Sequence, residues 1–228
     1  MRKGLVVFQF VLSVIFILSV LVVDQQLRYT QSKQMGYNRE QVISFHRPTH
    51  KNDLETFINE LKRIPGVIHA SNIGGSIMSG WDRQGGYSWT GDEAERDFLF
   101  LSPQVGYEVI ETLGIELLEG RSFSRKYHDD RFKIILNESA AKMMQLENPI
   151  GTIISKDIYQ AYENREIIGV VKDFHYGSLH QIVKPLIFRL RDWGLNIMVK
   201  LGPEVGKNPL TQIEKVYKRF HPDLDFDV

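Results

Sequence analysis

The chain has 228 residues, 43% of them hydrophobic, with 28 basic residues against 28 acidic ones and no cysteine. Balanced charge offers no broad field to nucleic acid or another polyanion, and the lack of thiols excludes disulfides, thiolate metal sites and cysteine nucleophiles. The length suffices for one large domain or two small ones with buried cores.

In chain order, the first element is an apolar run from Leu5 to Val23 with no charge and three polar side chains, Gln9, Ser13 and Ser19. As a helix it spans roughly 29 Å, close to the hydrocarbon thickness of a bilayer. A cleaved signal peptide would have an apolar core of about 7 to 15 residues closing on small side chains. Here the run closes on Val20-Leu21-Val22-Val23-Asp24. The prediction is one uncleaved membrane helix, with Leu5, Phe10, Ile15, Val20 and Val23 among its positions. Arg2 and Lys3 place its start in the cytoplasm and the rest of the chain outside the membrane. Asp24 to Met35 is polar and helix-forming up to Gly36, a stalk that could serve as a spacer or as a lever.

From Gln41 the pattern reads strand (Val42 to His46), helix (Asp53 to Arg63) and strand (Val67 to Ile73). Leu54, Phe57, Ile58 and Leu61 fall on one helix face, Asp53 is placed to cap it, and Pro65-Gly66 stops it. The end of the chain repeats the logic. A strand at Leu195 to Leu201 precedes a helix from Pro209 to about Phe220, capped by Asn208, with Leu210, Ile213, Val216, Tyr217 and Phe220 as its buried stripe, then an extended Phe226 to Val228. Joined, the two halves give the β-α-β-β-α-β order of a ferredoxin-like sheet, split after its second strand by a large insertion.

The insertion, about Ser76 to Trp193, opens with a glycine-rich stretch holding Trp81, Tyr87 and Trp89, for which turns or a mobile hairpin are predicted. Strands follow at Phe98 to Ser102, Lys133 to Leu136, Glu166 to Val171 and Leu186 to Leu190. Helices are expected near Tyr107 to Leu113 and from Asn137, with Ala141 and Met144 inward, and turns at Glu119-Gly120-Arg121 and Asn148 to Gly151. The predicted organisation is α+β: anchor and stalk over 1–40, a discontinuous lobe over 41–75 and 195–228, and a mixed α/β lobe over 76–194.

The chemistry is mostly negative. His175 and His180 are five apart, a spacing that does not converge on one metal from a regular helix. Asp173 and His175 read as a strand end or turn. Asp129 and Asp130 sit in a polar loop, where solvated charge is expected. Gly74-Gly75-Ser76 reads as a linker, and neither a phosphate-cradling glycine pattern nor a Gly-x-Ser-x-Gly elbow occurs. Trp81, Tyr87 and Trp89 are the candidate contacts for a partner or substrate, with burial in the lobe's core as the alternative. No catalytic, cofactor or metal site is predicted.

Several short stretches resemble one family. The entry Arg2 to Phe10, the Gly36-Tyr37-Asn38 step, Leu113 to Phe123, Ile135 to Ala141, Glu147 to Gly151 and Ile168 to His175 are similar in order and spacing to motifs of the MacB-like periplasmic core domain of MacB/FtsX-type ABC transporter permeases. The resemblance implies a periplasmic domain of two lobes, Porter-type and Sabre-type, on a bacterial inner-membrane anchor. It implies a non-enzymatic chain with ATP on a separate cytoplasmic ABC ATPase subunit. Membrane lipid, a second permease subunit in a homodimer or heterodimer, and a periplasmic adaptor, lipoprotein or hydrolase are the implied partners. The function implied is transmission of ATP-driven movement through the stalk. Permeases of that family continue into further membrane helices, so the chain is expected to be a piece of a longer protein. A membrane-anchored ligand sensor and, more remotely, a secreted hydrolase are the alternative readings of the residues.

Overall fold

The computed structural model describes residues 2–32, 41–47, 53–75, 81–89, 98–158, 161–175, 182–191, 194–203 and 208–227. The chain forms two compact units, 1–35 and 36–228.

The first unit is a single helix, α1 (Arg2–Ser32). Its segment Val6–Gln26 is long and apolar enough to cross a membrane. The hydroxyls of Ser13 and Ser19 donate to the carbonyls of Gln9 and Ile15, each at 2.9 Å, so neither needs an outside partner in an apolar medium. The helix runs unbroken from the apolar run into the first residues of the predicted stalk.

The second unit begins with β1 (Val42–His46), α2 (Leu54–Lys62) and β2 (Val67–Ile73). The inserted region supplies β3 (Arg83–Gln84), β4 (Tyr87–Trp89), β5 (Phe100–Leu101), β6 (Gln104–Val105), α3 (Val109–Leu113), β7 (Leu117–Gly120), β8 (Lys133–Asn137), α4 (Glu138–Met143), β9 (Ile153–Ile158), β10 (Ala161–Val171) and β11 (Ile187–Leu190). The chain then returns through β12 (Asn196–Leu201) and α5 (Pro209–Phe220).

In the sheet, β12 lies between β1 and β2, antiparallel to both. This is the ferredoxin-like arrangement, with α2 and α5 on one face around Phe57, Leu61, Ile213 and Tyr217. The predicted apolar stripe of α2 is buried throughout. Four local readings need correction. Asp53 stands before α2 but makes no side-chain cap; its carboxylate takes the buried Arg47 guanidinium instead. Asn208 precedes α5 in a left-handed conformation (φ 65°) and its side chain makes no cap bond, so Pro209 is the sequence signal that marks the start of α5. Leu210 is 46% exposed, one turn too early to face the sheet. The residues 225–227 form no strand, but Phe226 packs its ring 5.1 Å from Phe45 and 5.2 Å from Tyr217.

The sheet does not stop where the insertion begins. Ile73 of β2 pairs with Val105 of β6, and the order continues β6-β11-β8-β10-β9-β4, with β7 also on β10, to give ten strands. Only β3 and β5 form a separate ribbon. The supposed linker glycine Gly74 extends this seam, its N–H donating to the Gln104 carbonyl at 2.7 Å. The two faces of the inserted sheet bury separate cores: one around Val105, Leu113, Ile135, Ile168 and Phe188, the other around Trp89, Phe100, Ile134, Ile154, Ile167 and Ile187. Adjacent residues of β8, β10 and β11 thus serve opposite cores, as strand alternation requires.

Candidate functional site

Three constellations carry the residues singled out in the sequence. The first is the aromatic stretch. Tyr87 and Trp89 are two apart on β4 and so share a face, the one turned into the core. The Tyr87 hydroxyl lies 3.1 Å from Ser102 Oγ, and Trp89 Nε1 donates to the Met144 carbonyl at 3.2 Å. Trp89 stacks on Phe98 at 5.8 Å and Tyr87 meets Phe100 edge-on at 5.4 Å. As contact candidates both are therefore corrected to core residues, since their rings and their polar atoms are already engaged. Trp81 is only half-buried. It borders a cavity of about 500 Å³ at the ends of β1, β2 and β12, together with Gly75, Gln84, Ser102, Leu195 and Asn196.

The second constellation gathers the Ile135–Ala141 and Ile168–His175 stretches. Asn137 closes β8 and caps α4, its Oδ1 accepting from Ala140 N at 3.0 Å and Leu186 N at 2.8 Å. Asp173 follows β10, which lies parallel to β8. Its Oδ1 accepts from Asn137 Nδ2 at 2.8 Å and Ser139 N at 3.0 Å, and its Oδ2 from Ser139 Oγ at 2.6 Å. Both carboxylate oxygens are thereby committed to holding the start of α4 against the strand end. A carboxylate and a hydroxyl this close suggest nucleophilic catalysis, but no imidazole bridges them: His175 makes no bond to Asp173 among the described residues, and His180 lies outside them. Among the described residues no three His, Cys, Asp or Glu side chains converge as metal ligands.

The third is the Glu119-Gly120-Arg121 stretch, predicted as a turn. Leu117–Gly120 is instead a short strand, β7, paired with the end of β10. Gly120 has φ +73°, and a Cβ there would stand 2.1 Å from the Ile168 carbonyl oxygen; one at Gly169 would stand 2.5 Å from the Arg121 oxygen. These two glycines allow the backbones to meet. Arg121 then grips Asp130 in a bidentate pair at 2.6 and 2.8 Å, and Ser124 N adds a bond of 2.8 Å to the same carboxylate. Asp130 is fully buried, not the solvated loop charge expected from sequence. The bond to Asp130 raises the Arg121 pKa further, against the effect of burial. Tyr87 is also shifted upward, by burial.

The geometry of these groups is structural, with one cavity beside Trp81 left open. No family model and no curated protein matches the sequence. Solved structures do. The chain is similar to the periplasmic region of MacB from Actinobacillus actinomycetemcomitans, at 16% identity and a TM-score of 0.58 over 84% of this chain and 89% of that one. It is similar to the extracellular domain of the noncanonic ABC-type transporter YknZ from Gram-positive bacteria, at 15% identity and a TM-score of 0.53 over 79% and 95%. A domain described as part of a permease protein from Porphyromonas gingivalis matches at 15% identity and a TM-score of 0.55 over 82% and 86%. The fold is that of the MacB-type periplasmic domains.

Proposed function

We propose that this chain is the extracytoplasmic part of an ABC-type permease subunit, anchored by α1 in the bacterial inner membrane with its large domain in the periplasm. The supporting observation is a conjunction: a MacB-type domain fold over most of the chain, directly preceded by a helix of membrane-crossing length and composition. In this reading the chain performs no catalysis. A separate cytoplasmic ATPase subunit supplies ATP-driven motion, and a second permease copy, identical or related, completes the transporter. The stalk then acts as a lever whose displacement reaches the Porter-type lobe (41–75 and 195–228) and the Sabre-type lobe (76–194). The cargo is a periplasmic substrate, or the output is control of an adaptor, lipoprotein or hydrolase.

A flexible glycine-serine insertion at Gln34, placed in the full transporter, tests the lever. A soft joint cannot pass displacement. Transport or partner activation is expected to be lost while the ATPase still co-purifies. Unchanged function with the insertion in place overturns transmission through the stalk.

A further inference from the structure

The sheet face that carries the Trp89 core is not apolar throughout. Register pairs Tyr87 with Lys156, Lys156 with Glu163, and Arg189 with Ile134, so these side chains and Arg165 share the face of Ile134 and Ile154. Three cations and one carboxylate are thus set beside a hydrophobic core. Glu163 is spent on Arg165, which also donates to the Arg131 carbonyl at 2.7 Å. Arg189 has only the Ser102 carbonyl, at 3.3 Å, and no carboxylate in ion-pair range among the described residues. Both arginines are more than nine-tenths buried, and the Nε of each has no hydrogen-bond partner among the described residues. Lys156 lies 5.1 Å from the Tyr87 ring centroid and donates to Gln84 Oε1. Burial, and then the nearby Arg189 charge, push its pKa down.

A buried arginine such as Arg189, with a half-buried lysine on the same face and no matching carboxylate among the described residues, is costly, and an incoming negative charge offsets that cost. The cations stand one residue behind the cavity beside Trp81: its wall holds their partners, Gln84, which accepts from Lys156, and Ser102, whose carbonyl accepts from Arg189. Its volume of about 500 Å³ suits a small organic molecule, and Trp81, Pro103 and Leu195 give it apolar walls. Asp82 at the same cavity disfavours a second acid group on the ligand.

We propose that this cavity binds a small organic monoanion, with its acid group taken by Lys156 and Arg189 in place of Gln84 and its apolar body against the Trp81 indole. The site is independent of the permease reading, since it rests on the domain alone.

The test is calorimetric titration of the full chain in detergent with naphthalene-2-carboxylate, its neutral isostere naphthalene-2-carboxamide, and inorganic phosphate. Naphthalene-2-carboxylate is expected to bind at least about tenfold more tightly than the amide, the difference one charge-assisted bond makes. K156Q should abolish that preference, K156R should keep it, and both should melt with the parent. Equal binding of acid and amide, or a K156Q chain that still prefers the acid, overturns the proposal. So does phosphate that competes as well as the naphthoate, because the apolar wall would then contribute nothing. The link between β4 and β5 carries its own acids, Asp92, Glu93, Glu95 and Asp97. Binding of naphthoate by D92N/E93Q/E95Q/D97N but not by the parent would assign the cations to an internal occupant and overturn the proposal too.

Discussion

Ser139 Oγ donates to Asp173 Oδ2 at 2.6 Å, joining the first turn of α4 to the end of β10 across 34 residues of chain. With Asn137 in the same network, this bond locks a strand-to-helix turn onto its parallel neighbour. The expected consequence is structural. D173A should destabilise the domain by about 2 kcal/mol or more, since bonds to a charged group contribute more than neutral ones, while H175A, which breaks no bond in this network, should leave the melting temperature near that of the parent. Chemical denaturation of the two variants decides it. A D173A chain that folds with parental stability but has lost function would point to a chemical role for the carboxylate.

Arg121 and Asp130 should respond unequally to truncation. R121A leaves a fully buried carboxylate with the Ser124 N–H as its remaining donor, and breaking a buried pair in this way costs on the order of 3 kcal/mol. D130N leaves a guanidinium that is 32% exposed and can recruit water, so its loss should be smaller. Urea unfolding of both variants checks the order. The reverse order would mean that Arg121, not Asp130, bears the burial cost.

Gly120 cannot accept a side chain without movement of the facing backbone. G120A combines a left-handed backbone with a Cβ driven into the Ile168 carbonyl, and should cost more than about 2 kcal/mol. G151A also has positive φ, at 85°, but meets nothing within 4 Å, so it should show only the backbone penalty. Thermal melts of the pair separate conformational strain from steric exclusion.

Glu108 gives the stability a defined dependence on acid. Burial opposes its ionisation, but bonds from Lys62 and His69 outweigh that and hold its pKa below the usual glutamate range. A carboxylate whose folded pKa lies below its unfolded value contributes stability above the unfolded pKa and loses it as pH falls through the folded one. The stability gap between the parent and E108Q should therefore be constant near neutral pH and close on acidification below about pH 4. A gap that widens with acid would contradict the assigned direction.

A reporter active only outside the cytoplasm, fused after Val228, should be active, and the protein should remain with membranes after an alkaline wash. Release into the soluble fraction, trimmed near Asp24, would replace the anchor with a cleaved leader and remove the lever from the proposed function.

Elements whose signal is local are legible in the sequence. The apolar run of α1, the stripe of Leu54, Phe57, Ile58 and Leu61 and the start of α4 at Asn137 depend on residues within one or two turns of each other. The split ferredoxin-like order follows too, because β-α-β units announce themselves by period. Contacts between distant segments are what the tertiary structure alone decided. Nothing near Asp130 distinguishes it from Asp129, yet one is buried against Arg121 and the other stays in solvent beside Lys133. Nothing near Tyr87 or Trp89 says whether a strand will cover them. β7 and β9 escaped notice because each is defined by its pairing with β10 rather than by its own composition. The cations of β9, β10 and β11 lie on separate strands and meet only because register brings their alternate positions to one face; periodicity encodes the face, and only pairing encodes the neighbour.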